Sequence, residues 1–464
     1  MKEQQLTNQL KTRHISMISI GGIIGAGLFV GSGSVINATG PGAIVSYAVA
    51  GLLVIFLMRM LGEMATANPD SGSFSTYARQ AIGPWAGYTV GWLYWFFWLI
   101  VIAIEATAGG AIMNQWVPAV PIWAWSLILT FLLTLTNIFS VKSFGEFEYW
   151  FAMIKVVAIV VFMLVGLAIL FQWIPGTNSP GLSNLTGNGG FMPNGFSSVF
   201  VGVVTVIFSY FGAEIAAIAA SESKDPVKST TMAINSVVWR ILIFYVGSVS
   251  ILVMLLPWNS AELLTSPYVT MLKMAGIPGG AQIMNAVVLV AVLSCLNSAL
   301  YTNSRMLYSL AKKGDAPQML LKLNKHGVPV RAVWLSTILA YVCAVFSFVS
   351  PDKLFLFLVN ASGAIALLVY LAIAVSHLRL RKKAEREHSQ LEMKMWLFPY
   401  ITYAVIAGIG IILISMIFID SMKSQLLLTL LITGGLILSF FFKKKRPVEE
   451  QESYKTAEQK ILNS

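Results

Sequence analysis

Charge is scarce in this chain. Of 464 residues only 11% are Asp, Glu, Lys or Arg, whereas 57% are apolar; an ordinary soluble domain carries about 25% charged residues. The mean hydropathy is +0.75, and the charges are segregated. That leaves apolar runs long enough to cross a hydrocarbon core of about 30 Å, which takes roughly 20 residues of helix. Cysteine is nearly absent: Cys295 and Cys343 each sit inside an apolar run, read as small buried residues and offer no disulfide framework. The histidines, His14, His326, His377 and His388, all fall outside the apolar runs or at their ends, so no metal site and no metal catalysis are expected. P-loop, H-E-x-x-H and G-x-S-x-G motifs are missing too. Nucleotide-driven pumping and hydrolase chemistry by this chain are therefore not indicated, and it reads as no enzyme, with no cofactor.

What is present is a series of apolar runs: 16–36, 42–62, 85–113, 122–140, 150–172, 197–219, 236–256, 281–301, 332–350, 354–377, 396–418 and 425–442. They predict an all-α integral membrane protein of 12 transmembrane helices. Residues 1–14 are polar, and the run behind them has no Ala-x-Ala site, so it reads as a retained first span and not as a cleaved signal. The net charge of +11 would suggest nucleic acid in a soluble protein. Here the cations cluster on one side of the predicted spans, and only Lys273, Lys353 and Lys423 fall on the other. That bias places both termini in the cytoplasm of a cell-membrane protein and makes a nucleic-acid partner unnecessary. The run Lys443-Lys444-Lys445-Arg446 can serve as a topology anchor or attract anionic membrane lipid.

Glycine is unevenly spent. The first run holds Gly21, Gly22, Gly25, Gly27, Gly31 and Gly33, and each weakens a helix by roughly 1 kcal/mol relative to alanine. A helix broken there exposes backbone amides, where a substrate carboxylate would be welcome. The alternative is a small-residue packing face, because Gly21/Gly25 and Gly27/Gly31 have GxxxG spacing. A second candidate break, Ile207 to Glu214, contains Gly212 and falls five spans later. Interrupted helices at corresponding places in two halves point to a transporter built from inverted repeats.

Ionisable residues inside the runs are Glu105, Lys155 and Glu214. Each is a candidate for proton coupling. The alternatives are a lysine snorkelling to the membrane face and carboxylates making structural bonds. The polar stretch Ser294-Cys295-Leu296-Asn297-Ser298 either lines a cavity or ties helices together.

The segments GGIIGAGLFVGSG, GPGAIVSY, GEMA, SGSFSTYA, GPWAGYTVGWLYW, SFGEFEYWFAMIKV, IFSYFGAEI and LNSALYTNSRMLYSLAKKGDAP together resemble the amino acid permeases of the amino acid–polyamine–organocation superfamily. The resemblance runs from about His14 through the last apolar run, and is nearest to the bacterial γ-aminobutyrate permeases. It implies two inverted five-helix repeats (16–172 and 197–377) joined by an external loop (173–196), with two further helices in 396–442 and cytoplasmic tails 1–15 and 443–464. It also implies that a substrate carboxylate meets the amides of Gly25, Ala26 and Gly27, and that the amine meets carbonyls near Ile23 and at Phe208, Ser209 and Tyr210. Phe208 is similar to the gate residue of such permeases, and Lys155 to the lysine that replaces a sodium ion in proton-coupled ones. Many of them carry Thr or Ser where this chain has Ala26, which favours a substrate whose amine lies away from its carboxylate. The expectation is proton-coupled import of a small amino acid, γ-aminobutyrate or β-alanine. The alternatives are a permease or exchanger for small neutral α-amino acids such as alanine, or a membrane sensor.

Overall fold

The computed structural model describes residues 17, 23–70, 72–139, 141–174, 180–221, 225–264, 266–346 and 351–443. The expected tail 1–15, Gly21, Gly22, Lys224 and the segment 444–464 lie outside the described residues, as do the side chains of Lys142, Cys343 and Lys353. Among the described residues every regular element is helical.

The chain runs through α1 (Ala26–Phe29), α2 (Gly31–Thr39), α3 (Ala43–Ala67), α4 (Ser73–Ala81), α5 (Pro84–Trp116), α6 (Ile122–Phe139) and α7 (Val141–Leu170). It continues through α8 (Ser197–Tyr210), α9 (Ile215–Ser221), α10 (Pro226–Arg240), α11 (Ser248–Leu255), α12 (Pro267–Met274) and α13 (Gly280–Lys312). The last elements are α14 (Val330–Phe346), α15 (Pro351–Arg386), α16 (Tyr400–Phe418) and α17 (Asp420–Phe442). Among the described residues nine helical stretches are long and apolar enough to cross a membrane, and α8 is a shorter apolar helix. The chain is a multi-pass membrane protein.

Local chemistry explains the boundaries that matter. Gly83 has φ 144°, a conformation that side chains avoid, and the next residue, Pro84, opens α5 where its missing N–H costs nothing. Gly212 has φ 116° between α8 and α9, so the interruption there depends on glycine. Ile23, Ile24 and Gly25 are non-helical immediately before α1. Non-helical residues thus lie within both sequence-predicted interruptions, Ile23 to Gly25 in the first and Phe211 to Glu214 in the second, where Ile207 to Tyr210 still belong to α8. A π-helical stretch, Ile241–Gly247, joins α10 to α11, and such bulges often mark functional places in helices.

Several helices run further than the apolar pattern suggests, and two of them matter for the site. α7 begins at Val141 and α13 continues to Lys312, because polar residues that face protein, not lipid, need not end a helix. The start of α7 brings Glu148 inside the helix, whereas the predicted span begins at residue 150.

Burial separates core from periphery. In α5, 83% of the most apolar window is buried inside the protein, against 17% for Met422–Phe442. α5 packs on α13, α6, α4 and α15, with Trp98, Tyr94 and Phe97 wholly enclosed. α16 and α17 expose Phe418, Leu431 and Phe442, the side chains a lipid tail would solvate.

At one end the helices are knitted by charge. Asp315, after α13, pairs with Arg79 of α4 and, at 2.7 Å, with Lys443 after α17. Glu63 of α3 meets Arg381 of α15 at 3.0 Å and accepts the Met395 N–H at 2.5 Å. Arg379 of α15 donates to the Ala81 carbonyl at 3.2 Å, which links the two groups.

Candidate functional site

The two interruptions face each other. Ile23, Gly27, Phe208 and Ser209 line one cavity with Trp98, Val101, Glu105, Phe211 and Cys295. Its volume is about 10 Å³, room for about one water molecule. The approach is close: a Cβ on Gly27 would lie 2.9 Å from Ser209 Cα and 3.1 Å from Phe208 Cε1.

The polar atoms exposed by the first interruption are satisfied from within. The Ala26 N–H donates to both oxygens of Glu105, each at 3.1 Å. Glu105 comes from the middle of α5 and is 1% exposed. The Tyr245 hydroxyl, carried by the π-helical stretch, lies 2.9 Å from the Ile23 carbonyl and 2.9 Å from the Ser209 carbonyl. A hydroxyl has a single proton, so it can serve only one of the two carbonyls at a time. One wall of the site therefore offers an amide donor, and another a pair of carbonyl acceptors that share one hydroxyl proton.

The second interruption has its own carboxylate. Glu214 is fully buried and accepts the Gly212 N–H at 3.1 and 3.0 Å. Its surroundings are Tyr94 and Tyr370, with Phe211 packed between their rings at 5.7 and 5.0 Å. Tyr210 turns elsewhere, donating to the Tyr47 carbonyl at 3.0 Å. Neither it nor Gly212, Gly25 and Ala26 lines the cavity. Gly25 still sits against it, since a Cβ there would lie 2.5 Å from Glu105 Oε1 and 2.9 Å from Cys295 Sγ.

Lys155 is fully buried and lies well inside α7, not at a helix end. Its charged neighbours are Glu148 and Glu105, with the Cys295 thiol beside them. The structure thus brings Lys155 and Glu105 together and leaves Glu214 apart. Sequence reasoning missed Glu148 and Tyr245. Glu148 precedes Lys155 by two helical turns, and that spacing was the available signal. Tyr245 stands in an apolar run, ILIFYVG, which gives no local sign of its role.

A larger cavity, of about 280 Å³, reaches Val30, Glu262, Ser266, Lys273 and Asn285. It lies where α12 packs near the start of α13, and Ser266 ties this region to the first interruption by donating to the Phe29 carbonyl at 3.2 Å.

Comparison with known proteins gives this geometry its context. Residues 14–452 match the amino acid permease family. The chain is 61% identical over 447 residues to the gamma-aminobutyric acid permease of Bacillus subtilis, covering 96% of this chain and 95% of that one. It is 49% identical over 426 residues to the gamma-aminobutyric acid permease of Escherichia coli, with 92% and 91% covered. The aromatic amino acid transport protein AroP of Corynebacterium glutamicum is 40% identical over 407 residues, with 86% and 88% covered. Such proteins move solutes and are not enzymes. The chain belongs to the amino acid permease family of the amino acid–polyamine–organocation superfamily.

Proposed function

We propose that the protein imports a small zwitterion, γ-aminobutyrate or a short relative such as β-alanine, by proton-coupled transport across the cell membrane. The observation that carries this reading is an amide donor, the Ala26 N–H held by the cavity-lining Glu105, close to the Ile23 and Ser209 carbonyls of two other cavity-lining residues. An amide donor suits a carboxylate, and two carbonyls suit an ammonium. The relatives named for gamma-aminobutyric acid support the substrate class.

On this reading the protein's own groups stand in for the substrate. The substrate carboxylate takes the place of Glu105 on the Ala26 N–H, and the substrate ammonium takes the place of the Tyr245 hydroxyl between the carbonyls. A proton on Glu105 weakens its hold on the amide and frees it to swing away, so that proton uptake and substrate binding favour each other. Phe208 closes over the bound molecule. Lys155, Glu105 and Glu214 are the proton-handling residues in this proposal, and Gly25, Ala26, Gly27, Tyr210 and Gly212 shape the backbone of the site.

The reading extends to architecture: 12 spans, with two inverted five-helix repeats in 16–172 and 197–377 and both termini in the cytoplasm. The ion pairs of Asp315 and Glu63 then close the cytoplasmic end, while the 280 Å³ cavity opens toward the outside, as alternating access requires.

The test is uptake of radiolabelled γ-aminobutyrate into proteoliposomes under an imposed inward proton gradient, with competing amino acids. Gradient-dependent uptake blocked by β-alanine and not by ordinary α-amino acids is the expected result. Uptake indifferent to the gradient would overturn the coupling. Uptake of an α-amino acid such as alanine, with none of γ-aminobutyrate, would overturn the substrate.

A further inference from the structure

A transporter that takes a proton from one side must release it on the other, and the molecule carries a buried polar track leading away from the cavity. It starts at Glu105, which holds the Ala26 amide. Lys155 is the buried cation near enough to both Glu105 and Glu148 to interact with each electrostatically. Glu148, on the same helix as Lys155, is two turns or roughly 10 Å nearer the start of α7. It is fully buried.

The helix opposite is built to receive it. Ser294 of α13 donates its hydroxyl to Glu148 Oε1, and the Asn297 and Ser298 side chains stand alongside. Among the described residues, Glu148 Oε2 and Ser298 Oγ complete no hydrogen bond of ordinary geometry. The carboxylate is held firmly through Oε1 with Asn297 and Ser298 close by, and its second oxygen is an acceptor that can take a proton. The track then continues: Asn297 Oδ1 accepts from Asn137 Nδ2 at 2.7 Å, and Thr136 Oγ1, whose proton is shared with the Leu133 carbonyl at 2.8 Å, stands 3.5 Å from it. Thr136 is half-buried near the end of α6. In the proposed orientation that end of α6, and the start of α7, face the cytoplasm.

We infer that Glu148 is the proton-release residue, the inner member of a Glu105–Lys155–Glu148 relay. The inference rests on the proton-coupled reading above. A proton passes from the Glu105 carboxyl to the neutral Lys155 amine, then from the Lys155 ammonium to the Glu148 carboxylate, and from Glu148 to water reaching Thr136. The Glu105 carboxylate first takes that proton from the outer side, so that over the whole sequence each group returns to its starting state, only N–H and O–H bonds are exchanged, and the proton alone is moved. The titratable groups facing Lys155 and Glu148 are Glu105 from α5 and Cys295 from α13. α6 contributes the uncharged Asn137 and Thr136 to this track.

The roles of Glu105 and Lys155 differ from that of Glu148 in a measurable way. Glu105 touches the cavity; Glu148 does not. Removing Glu148 should therefore spare substrate binding and block the unloading of the proton. Full-length protein in proteoliposomes separates the two steps. Net γ-aminobutyrate uptake under an inward proton gradient needs the proton to be released inside. Counterflow at equal pH, with γ-aminobutyrate on both sides, recycles the loaded carrier without that release.

Glu148→Gln is expected to slow net uptake on the order of 10²-fold while affecting counterflow far less, and Glu148→Asp is expected to recover part of the net uptake. Equal losses of net uptake and counterflow in both variants would overturn the relay and make Glu148 structural, and wild-type net uptake in Glu148→Gln would overturn it as well. Failure of the underlying reading looks different: wild-type uptake would itself ignore the gradient, and the relay would fall with it. Should Glu148→Gln not fold, the same comparison is made on Glu148→Asp, for which slower net uptake with near-normal counterflow supports the relay and unchanged net uptake overturns it.

Discussion

Adding one methyl group at Gly27 tests whether the two interruptions must touch. The new Cβ of Gly27→Ala would lie 2.8 Å from Ser209 Oγ, 2.9 Å from Ser209 Cα and 3.1 Å from Phe208 Cε1. The hydroxyl and the ring can rotate, but Ser209 Cα is backbone, so relief requires the two segments to separate. The cavity between them, about 10 Å³, offers no slack. Overpacking of this kind costs typically 1–3 kcal/mol, taken as about 2 kcal/mol at a backbone contact. Set against the closed arrangement alone, 1–3 kcal/mol shifts its population by about 5- to 150-fold. Initial uptake rates in proteoliposomes should fall within that range, while membrane abundance stays near wild type. Gly408→Ala is the matched control, because nothing lies within 4 Å of its added Cβ and an alanine in mid-helix is worth roughly 0.5–1 kcal/mol over glycine. The reasoning fails if Gly27→Ala transports like wild type, or if Gly408→Ala loses as much.

Three further outcomes are expected. Lys155→Ala should abolish uphill accumulation while the protein stays folded; normal accumulation would remove Lys155 from the mechanism. Tyr245→Phe takes the hydroxyl donor from the Ile23 and Ser209 carbonyls, costing about 1–3 kcal/mol of stability, and substrate should then raise the melting temperature of the variant more than that of wild type; an equal or smaller rise would count against a carbonyl-bound ammonium. Burial pushes the Lys313 ammonium, which donates to Ser75 and Thr76, down to about 8, against about 10.4 for a free lysine. Between those values the unfolded chain holds a proton that the folded one has released, so stability gains with rising pH across the window. Melting temperatures of Lys313→Met should lack that gain relative to wild type, and parallel pH profiles would refute the assignment.

Much of this was written locally. Glycine at 25, 27 and 212 announced the interruptions, because breaks in the helical hydrogen-bond ladder leave a compositional trace. Glu105, Lys155 and Glu214 announced themselves by being charged within apolar runs. What sequence could not convey was the pairing across distance. Nothing near Ala26 says that its amide will be held by a carboxylate from α5, and nothing in ILIFYVG says that Tyr245 will reach two carbonyls on other segments. Glu148 was hidden by a boundary: apolarity starts near residue 150, but the helix starts at Val141. The two readings of Ser294 to Ser298 also divide residue by residue, with Ser294 and Asn297 serving Glu148 and Cys295 facing the cavity.

The bond between Ala26 and Glu105 bears on the half of the cycle in which nothing is carried. If the protein imports as proposed, it makes its return journey unladen, and a bare, buried amide would cost about 1–3 kcal/mol on the way. On the proposed reading, Glu105 keeps the amide occupied in both directions, by cargo on the inward trip and by the protein's own carboxylate on the way back. The unladen molecule is then as well satisfied as the laden one, and slippage of protons through a half-filled site has no resting state from which to begin.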